Sequence, residues 1–364
     1  MSGSQSAERI RRLREQLEAA GVECAVIGPT TTMRYLLGYA PHADERLCLL
    51  LLDTGHAQLI VPELNAEALG AHSDLEMLSW ADEGGPIEAL RRSFVQGRRL
   101  GTLAVDGAMR ADFLVPLQAL WAPRQVVSLD PVVAPLRMIK TEEELEALAA
   151  AAAQADRAMQ AAVEACRPGV TEAEVAWAAE ECFRKSGAEA VEFTLVAAGA
   201  NAALPHHSSG PQVLEGGQGV VIDIGASLNG YKSDITRVVF LGEPDEEYLR
   251  VHETVRSANA AGVQAVRPGA SAGSVDAAAR DLIRQAGYGA RFVHRTGHGI
   301  GLDIHEPPWI VDGEATRLES GMVFSVEPGI YLPGRLGVRV EDIVVVVPEG
   351  RRVLTGFAHE LICT

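Results

Sequence analysis

Cysteine and basic charge are both scarce in this chain of 364 residues. It contains five cysteines: Cys24, Cys48, Cys166, Cys182 and Cys363. They are scattered and never spaced as C-x-x-C, which argues against a disulfide framework or a zinc knuckle and favours a reducing compartment. Lysine and arginine number 32 against 49 acidic residues, so the formal net charge is -17. We therefore expect a cytoplasmic protein that binds neither nucleic acid nor an anionic membrane surface.

Long apolar runs are also lacking, because no stretch approaches the roughly 20 residues that a bilayer span requires. Hydrophobic residues make up 47% of the chain and charged residues 22%. This is ordinary globular usage, which argues against disordered, collagen-like and coiled-coil proteins. The length suffices for two domains or one large domain with a buried core.

The first third of the chain has the pattern of an α/β domain. Residues 7–20 form a predicted amphipathic helix. Strands are predicted at residues 22–28, 47–53, 57–62 and 100–107. The pattern changes near residue 135, after which Thr141 and Glu144 form a capping box that opens a long alanine-rich helix. The sequence thus predicts an N-terminal domain over residues 1–135 and a second domain over residues 136–364.

The second domain contains an internal repeat. The tripeptide R-P-G occurs at 167–169 and at 267–269, and each copy precedes a small-residue helix, a glycine and an apolar segment. Counted from the arginine, these segments reach His206 after 39 residues and His305 after 38. The tripeptide alone is also a common turn between helices. The matched histidines favour a duplicated half-domain, with a site where the two halves face each other.

A first hairpin is predicted around Asn229-Gly230, which lies between two apolar runs. In a two-residue hairpin, residues whose numbers sum to 459 lie opposite one another, so Asp223 faces Thr236. Asp234 has the same parity as Thr236, and the two aspartates form a diagonal pair roughly 7–8 Å apart. A lone aspartate on a strand is usually a solvated edge residue. Two on one half-buried face are costly unless positive charge lies between them.

A second hairpin is predicted to turn at residues 333–335. Glu327 and Glu341 are symmetric about Gly334, so a three-residue connection places them opposite each other on one face. The alternative is an exposed pair of charges. The apolar residues that flank both glutamates argue against that alternative.

Three histidines, His294, His298 and His305, lie in a glycine-rich segment between the hairpins. Any one of them alone is more often a satisfied core or surface histidine. Together with four converging carboxylates they become candidate ligands, acids and bases. Two divalent cations carry +4, which balances the four carboxylates, and oxygen-rich ligation with one imidazole suits manganese, cobalt or zinc. Charge balance therefore favours a dinuclear site.

The order of these motifs resembles a known family. IDIGASLNGYKSDITR, TGHGIGLDIHEPP, SVEPGIY and GVRVED follow one another as in the prolidase and aminopeptidase P branch of the pita-bread metallopeptidases. The resemblance implies an α/β (α+β) fold, in which a smaller creatinase-like N-terminal domain precedes a pseudo-twofold pita-bread catalytic domain. It implies five metal ligands: Asp223, Asp234, His298, Glu327 and Glu341. It also matches four residues to non-ligand positions of the active site: His206, His294, His305 and Arg339.

The resemblance implies a metal-dependent peptidase that hydrolyses the bond before proline. In two-metal sites of this kind, a water between ions roughly 3.5–4 Å apart loses a proton and attacks the scissile carbonyl. Glu327 is the candidate that carries this proton to the leaving nitrogen, and the histidines at 206, 294 and 305 stabilise the oxyanion or hold the substrate. Thr236 is expected to orient Asp223. Ile304, beside His305, is a candidate wall of the proline pocket.

Substrate length stays open between an Xaa-Pro dipeptidase and an aminopeptidase P that acts on longer peptides. Arg46 precedes an apolar strand, and its guanidinium is a candidate partner for the free carboxylate of a dipeptide. The alternative is a solvated arginine that pairs with Asp44 or Glu45. The compact length favours prolidase, and the resemblance implies a homodimer acting on proline-containing dipeptides or short peptides. A metal-free binding or scaffold relative is the alternative from another class, against which the five intact ligand positions argue.

Overall fold

The computed structural model describes residues 3–364 and divides between Arg137 and Met138 into two compact units. The helices of the N-terminal unit are α1 (Gly3–Ala19), α2 (Thr31–Leu37), α3 (Glu63–Gly70), α4 (Ile87–Arg92), α5 (Ala111–Trp121) and α6 (Asp130–Met138). Its strands are β1 (Cys24–Ile27), β2 (Leu49–Leu52), β3 (Ala57–Pro62), β4 (Glu76–Trp80), β5 (Thr102–Val105) and β6 (Gln125–Ser128).

These six strands form one mixed sheet in the order β4-β3-β2-β1-β5-β6. Strands β1 and β2 are fully buried aliphatic segments at its centre, as their continuous apolar sequences predicted. The first predicted helix is longer than expected, since α1 begins at Gly3. Strands β4 and β6 were not predicted, because both are short edge strands whose residues are mostly half-exposed or exposed and lack a clear apolar pattern.

The C-terminal unit has four long helices: α7 (Glu142–Ala165), α8 (Glu172–Lys185), α9 (Glu246–Ala265) and α10 (Ala272–Gln285). Two short 3-10 helices cover Gly199–Ala203 and Gly289–Arg291. The first half contributes the strands β7 (Ala190–Ala198), β8 (Gly219–Leu228), β9 (Tyr231–Lys232) and β10 (Ile235–Phe240). The second half contributes β11 (Gly297–Gly299), β12 (Glu306–Ile310), β13 (Val323–Val326), β14 (Gly329–Leu332), β15 (Leu336–Arg339), β16 (Asp342–Val347), β17 (Gly350–Val353) and β18 (Ile362–Cys363).

The predicted repeat is present in the C-terminal unit as two helix pairs, α7–α8 and α9–α10. Each pair is joined by an R-P-G turn whose glycine has a positive φ, 93° at Gly169 and 81° at Gly269. The two glycine N–H groups donate to equivalent carbonyls, Leu214 O at 2.9 Å and Leu318 O at 2.8 Å. Helices α7 and α8 pack on the sheet β18-β10-β8-β7, whereas α9 and α10 pack on strands that include β13 and β16.

The first hairpin has the predicted register. Asn229 (φ 52°) and Gly230 (φ 85°) make the two-residue turn, and Asp223 pairs with Thr236 across β8 and β10. Gly225 allows the backbone at Ser233 to approach β8 closely, because a Cβ at position 225 would lie 2.4 Å from the carbonyl oxygen of Ser233.

The second hairpin keeps its predicted register, but its ladder is interrupted. Val326 pairs with Asp342 between β13 and β16, and Gly329 pairs with Arg339 between β14 and β15. Glu327 and Glu341 therefore lie in the gap between two ladders. No helix within residues 3–364 has both the length and the apolarity that a membrane span requires.

Candidate metal centre

Four acidic side chains and one imidazole converge in the C-terminal unit. Ligand atoms of Asp234, His298 and Glu341 all lie within 4.8 Å of one another, and all three residues are buried. Glu327 joins them, with its Oε1 3.4 Å from the Nε2 of His298. Asp223 lies on the same face of the hairpin and is bound through Oδ2 to the guanidinium of Arg339 at 2.5 Å. All five predicted ligands thus lie in one place.

The interrupted ladder explains how the two glutamates reach this centre. The N–H of Glu327 donates to Thr296 O at 2.7 Å, and the N–H of Glu341 donates to Thr236 O at 3.2 Å. Each backbone position is therefore fixed by a residue outside its own hairpin, Thr296 just before β11 and Thr236 in β10. The second hairpin is tied in this way to the strand that carries His298 and to the first hairpin.

The donor set fits divalent cations. Oδ1 of Asp223 is buried and has no hydrogen-bond partner, which is costly for a carboxylate oxygen unless a cation occupies the site. Desolvation and the neighbouring carboxylates raise the pKa values of Asp234 and Glu341 well above their usual range. Desolvation likewise raises the pKa of Glu327 to about 7. Carboxylate oxygens with one imidazole are the ligands of hard or borderline divalent metals.

The hydrogen bonding of His298 leaves its Nε2 available to a metal. Its Nδ1 lies 3.1 Å from Gly299 O, and because a carbonyl can only accept, Nδ1 carries the proton. The lone pair of Nε2 then faces Asp234 and Glu327. Desolvation, reinforced by His305, lowers the pKa of His298 to about 3, so the ring is neutral near pH 7.

A hydrogen-bond chain, which the sequence analysis did not find, runs beside the carboxylates. Arg339 donates to Asp223 and, at 2.7 Å, to the hydroxyl of Tyr331. The Nδ1–H of His294 donates to Arg295 O at 2.8 Å, so its Nε2 accepts from the Tyr331 hydroxyl at 2.8 Å. Desolvation lowers the pKa of His294 to about 4, which keeps this ring neutral. Both ring nitrogens are thus engaged within the protein.

Tyr331 was missed, although the predicted register of the second hairpin contained the signal that could have identified it. In that register it pairs with Gly337, which has no side chain, and lies diagonal to Arg339. Desolvation of Arg339 favours its neutral form, but Tyr331 and the carboxylates outweigh this and raise its pKa well above its usual range. The guanidinium therefore stays charged at the edge of the metal centre.

Thr236 orients a different carboxylate from the one predicted. Its hydroxyl donates to Oε2 of Glu341 at 2.7 Å and accepts from Nε of Arg339 at 3.1 Å, rather than binding Asp223. The reason is that Arg339 already occupies Asp223, while the backbone bond from Glu341 brings that side chain beside Thr236.

A cavity of about 840 Å³ opens over these residues. Ten of the predicted site residues line it: Asp223, Asp234, His298, Glu327, Glu341, His206, His294, His305, Ile304 and Arg339. The ring of His305 makes an edge contact with His298 at 4.2 Å between centroids, and desolvation lowers its pKa. His206 is exposed in the segment that follows the 3-10 helix Gly199–Ala203. Apolar residues, including Trp177 and Phe193, form another part of the lining.

The remaining predicted residue, Arg46, belongs to the N-terminal unit. Its guanidinium is paired there with Asp82 at 2.9 Å, Glu45 at 3.1 Å and Asp44 at 3.5 Å. The carboxylate pairing expected under the alternative interpretation is therefore present. Its role as a selector of substrate length stays a prediction.

Arg295 is a second cavity residue that the sequence analysis did not single out. It is half-buried, and its guanidinium stacks on the ring of Trp309 at 4.4 Å. Within residues 3–364, no carboxylate forms an ion pair with it. Its place between two predicted histidines in the motif FVHRTGH was the available signal.

Comparison with known proteins gives two family matches and several full-length relatives. Residues 146–348 match the metallopeptidase family M24, and residues 9–139 match the creatinase/prolidase N-terminal domain. The chain is 40% identical to a probable dipeptidase PepE of Mycobacterium tuberculosis H37Rv, over 94% of this chain and 92% of the relative. It is 35% identical to an Xaa-Pro dipeptidase of Pyrococcus furiosus, over 98% and 99%. The crystal structure of a recombinant prolidase from Thermococcus sibiricus superposes with a TM-score of 0.94 at 35% identity, covering both chains completely.

Proposed function

The chain belongs to the metallopeptidase family M24 and carries a creatinase/prolidase N-terminal domain, and we propose from this that it is an Xaa-Pro dipeptidase. The family and the fold predicted from the motif order are confirmed, and the protein is a metal-dependent peptidase. The observation that carries the proposal is the convergence of Asp223, Asp234, His298, Glu327 and Glu341 in one cavity. Relatives over the full length of the chain are named Xaa-Pro dipeptidases, which supports the choice of substrate.

The five convergent residues would hold the divalent ions, and Asp223 has a buried oxygen free for this purpose. When bound, two such ions lower the pKa of a water molecule and stabilise the charge that develops on the scissile carbonyl. We propose manganese among the divalent metals, because carboxylate ligands outnumber the imidazole four to one. The buried free cysteines support a proposed cytoplasmic location, and a homodimer is proposed from the family resemblance.

Glu327 is proposed to move the proton. Its carboxylate is buried beside the other ligands, and desolvation places its pKa at about 7. That value applies to the metal-free protein, and the proposed role rests on position: the carboxylate lies beside the other ligands, where it can accept a proton from the attacking water and return it to the leaving nitrogen. The hydroxyl of Ser325 lies 3.3 Å from its Oε1 and holds the side chain in place.

The three cavity histidines that are not metal ligands are proposed to have different roles. His294 has both nitrogens engaged by Arg295 O and Tyr331, so it orients the tyrosine rather than exchanging protons with the substrate. His206 and His305 line the same cavity and are the candidates that bind the substrate or its oxyanion. Ile304 supplies an apolar wall suited to a proline ring, which offers no N–H donor.

Dipeptide length is proposed to be recognised by an arginine. A dipeptide presents a free carboxylate close to the scissile bond, and a guanidinium binds it in a bidentate manner. Arg295 fits this role because it lines the cavity without a carboxylate partner in the part of the chain that the structure describes. Arg46 remains the second candidate, although it would have to leave its pairs with Asp82 and Glu45.

The proposed function is tested with Ala-Pro and Ala-Pro-Ala as substrates. We expect cleavage of Ala-Pro in preference to Ala-Pro-Ala, loss of activity on chelation and recovery when manganese is added. Preference for Ala-Pro-Ala would instead assign an aminopeptidase P. Failure to cleave either peptide with metal bound would contradict both and support a binding relative.

The two arginines are separated by Arg295→Ala and Arg46→Ala, measured on both peptides. Loss of a buried charged contact to the carboxylate is expected to lower kcat/KM for Ala-Pro by about 10- to 100-fold in Arg295→Ala. Arg295→Lys keeps the positive charge but cannot form the bidentate contact of a guanidinium, and its kcat/KM for Ala-Pro is expected to lie between those of the unmodified enzyme and Arg295→Ala. A preference that changes only in Arg46→Ala would transfer the role to Arg46.

A further inference from the structure

A buried carboxylate lies close to the segment that carries His206. Glu172 is the first residue of α8 and is fully buried, with 0% of its surface exposed. Its Oε1 accepts from Ala198 N and from the side-chain amide of Asn201, both at 2.9 Å. Its Oε2 lies 2.8 Å from Nε2 of His207 and accepts from Gly210 N at 3.2 Å.

These four contacts span the segment 198–210 from end to end. His207 is the only one of the four partners that adjoins His206, and its side chain is itself 15% exposed. Since a carboxylate only accepts, Nε2 of His207 carries the donated proton. The backbone on the far side of His206 belongs to Pro205, which restricts the chain further. His206 is therefore held by its neighbours while its own ring lines the cavity.

The second half of the repeat shows that the fold alone does not require this carboxylate. Ala272 occupies the position of Glu172 at the start of α10. The backbone contacts are nevertheless the same, since Glu172 N donates to Gln212 O and Ala272 N donates to Thr316 O, both at 2.9 Å. A helix of this repeat thus docks on its returning segment without a buried acid at that place. The acid and its histidine partner add something that the shared architecture lacks.

We propose that His207 is a positioning residue, which together with Glu172 fixes the segment 198–210 so that His206 points into the metal cavity. This inference rests on the proposed peptidase function, in which His206 contacts the substrate. His207 lines the same cavity, but its Nε2 is taken up by Glu172, and its effect is therefore assigned to the orientation of His206. The buried pair replaces the mobility expected of an irregular segment with one fixed geometry.

The main test compares His207→Leu with His207→Gln. Leucine removes the donor to Glu172, whereas glutamine restores an N–H donor of similar reach. We expect His207→Leu to lower kcat/KM for Ala-Pro by about 10- to 100-fold, mainly through kcat, because small misplacements of a contacting group have effects of this size. His207→Gln is expected to stay within about threefold of the unmodified enzyme, and metal content is expected to be unchanged in both.

Gln212→Leu is the matched control, two residues beyond the segment 198–210. Its side chain is exposed and contacts only the carbonyl of Val213, while its backbone keeps the bond to α8. We expect no change in kcat or KM. If His207→Leu lowers the unfolding midpoint, His207→Asn replaces it, because asparagine is polar but too short to reach Glu172.

A double-mutant cycle with His206→Ala separates positioning from a general structural role. If His207 acts through His206, the change His207→Leu has little further effect once His206 is alanine. Additive losses in the cycle, or full activity of His207→Leu, would overturn the inference while Ala-Pro cleavage by the unmodified enzyme still supported the proposed function. Absence of that cleavage would instead remove the proposed function itself.

Discussion

The two halves of the catalytic unit share a frame but place their acidic residues differently. Gly217 and Gly321 have φ angles of 82° and 92°, and their N–H groups donate to the partner strand of each half. Asp223 and Glu327 each lie six residues beyond these glycines. They therefore occupy equivalent positions of the repeat, one acid for each half.

The second acids are not equivalent. Gly217 donates to Leu241 and Gly321 to Val346. Glu341 lies five residues before Val346, and the residue five before Leu241 is Thr236. In the first half the second acid, Asp234, comes two residues earlier. Duplication thus fixes where the strands run, whereas single positions along them determine the chemistry.

The buried contacts made by the residues that follow His206 and His305 differ as well. In the first half, His207 follows His206 and binds buried Glu172. In the second half, Glu306 follows His305 and forms a buried ion pair with Lys140 at 2.7 Å. Both arrangements fix the residue after a cavity histidine, but the group paired with the buried carboxylate is an imidazole in the first half and an ammonium in the second.

The largest effect is expected from changing the two equivalent acids. At saturating manganese, Glu327→Gln is expected to lower kcat by about 10²–10⁴-fold, because it removes the proposed proton carrier as well as a ligand. Asp223→Asn is expected to lower kcat by a smaller factor, since one oxygen of Asp223 is already bound by Arg339. Glu319→Gln, an exposed change of the same type, is the control. Equal losses in the two acids, with metal content confirmed by elemental analysis, would contradict the proton role of Glu327.

A smaller effect on stability is expected at the buried ion pair of the second half. Lys140→Met leaves the carboxylate of Glu306 buried without its ammonium partner, which typically costs about 3–5 kcal/mol. Lys185→Met breaks the exposed pair with Glu181 and is expected to cost less than about 1 kcal/mol. Urea unfolding of both variants measures the difference. A small loss in Lys140→Met would show that the buried pair does not stabilise the second half.

The pH dependence of the metal-free protein tests the carboxylates that the halves bring together. Desolvation raises the folded-state pKa of Glu327 from about 4.5 to about 7. The folded protein then binds this proton more tightly than the unfolded chain, so the contribution to stability is present below about pH 4.5 and is lost as the pH rises through 7. In chelator, we expect the free energy of unfolding to be about 1–3 kcal/mol lower at pH 8 than at pH 6.

Added manganese is expected to remove this loss, because the cations supply the missing positive charge. Glu327→Gln is the control, since it lacks the titrating group and is expected to show a smaller pH dependence. A metal-free protein that gains stability between pH 6 and pH 8 would contradict the raised pKa.

Local patterns predicted the parts of the site that depend on strand register. Alternation and turn length placed Asp223 opposite Thr236 and Glu327 in register with Glu341, because the side-chain period of a strand is two. The five ligands followed from these registers together with the family resemblance. Their convergence is visible in the structure, while their roles stay proposals.

Contacts between segments distant in sequence were not predictable in this way. Glu172 and His207 are 35 residues apart and share no periodic pattern. The stacking of Arg295 on Trp309 likewise joins the segment before β11 to β12. Thr236 was assigned to the wrong carboxylate because pairing across a hairpin ignores the neighbouring sheet, which brings Glu341 closer. Sequence patterns thus describe each hairpin, whereas tertiary packing selects its partners.

The smallest effect on stability is expected at the second residue of α8 and α10, which is alanine in the first half and glycine in the second. The second residue of α8 is Ala173, which donates to Gly210 O, and the second residue of α10 is Gly273, which donates to Glu314 O. A Cβ on Gly273 would lie 2.9 Å from both the nitrogen and the oxygen of Glu314, and backbone atoms cannot move aside easily. Helix propensity alone predicts that Gly273→Ala stabilises by up to about 1 kcal/mol, but this close contact reverses the sign. We expect a loss of about 1 kcal/mol in urea unfolding and, for Ala173→Gly, about half as much. A more stable Gly273→Ala would show that the two returning segments are interchangeable.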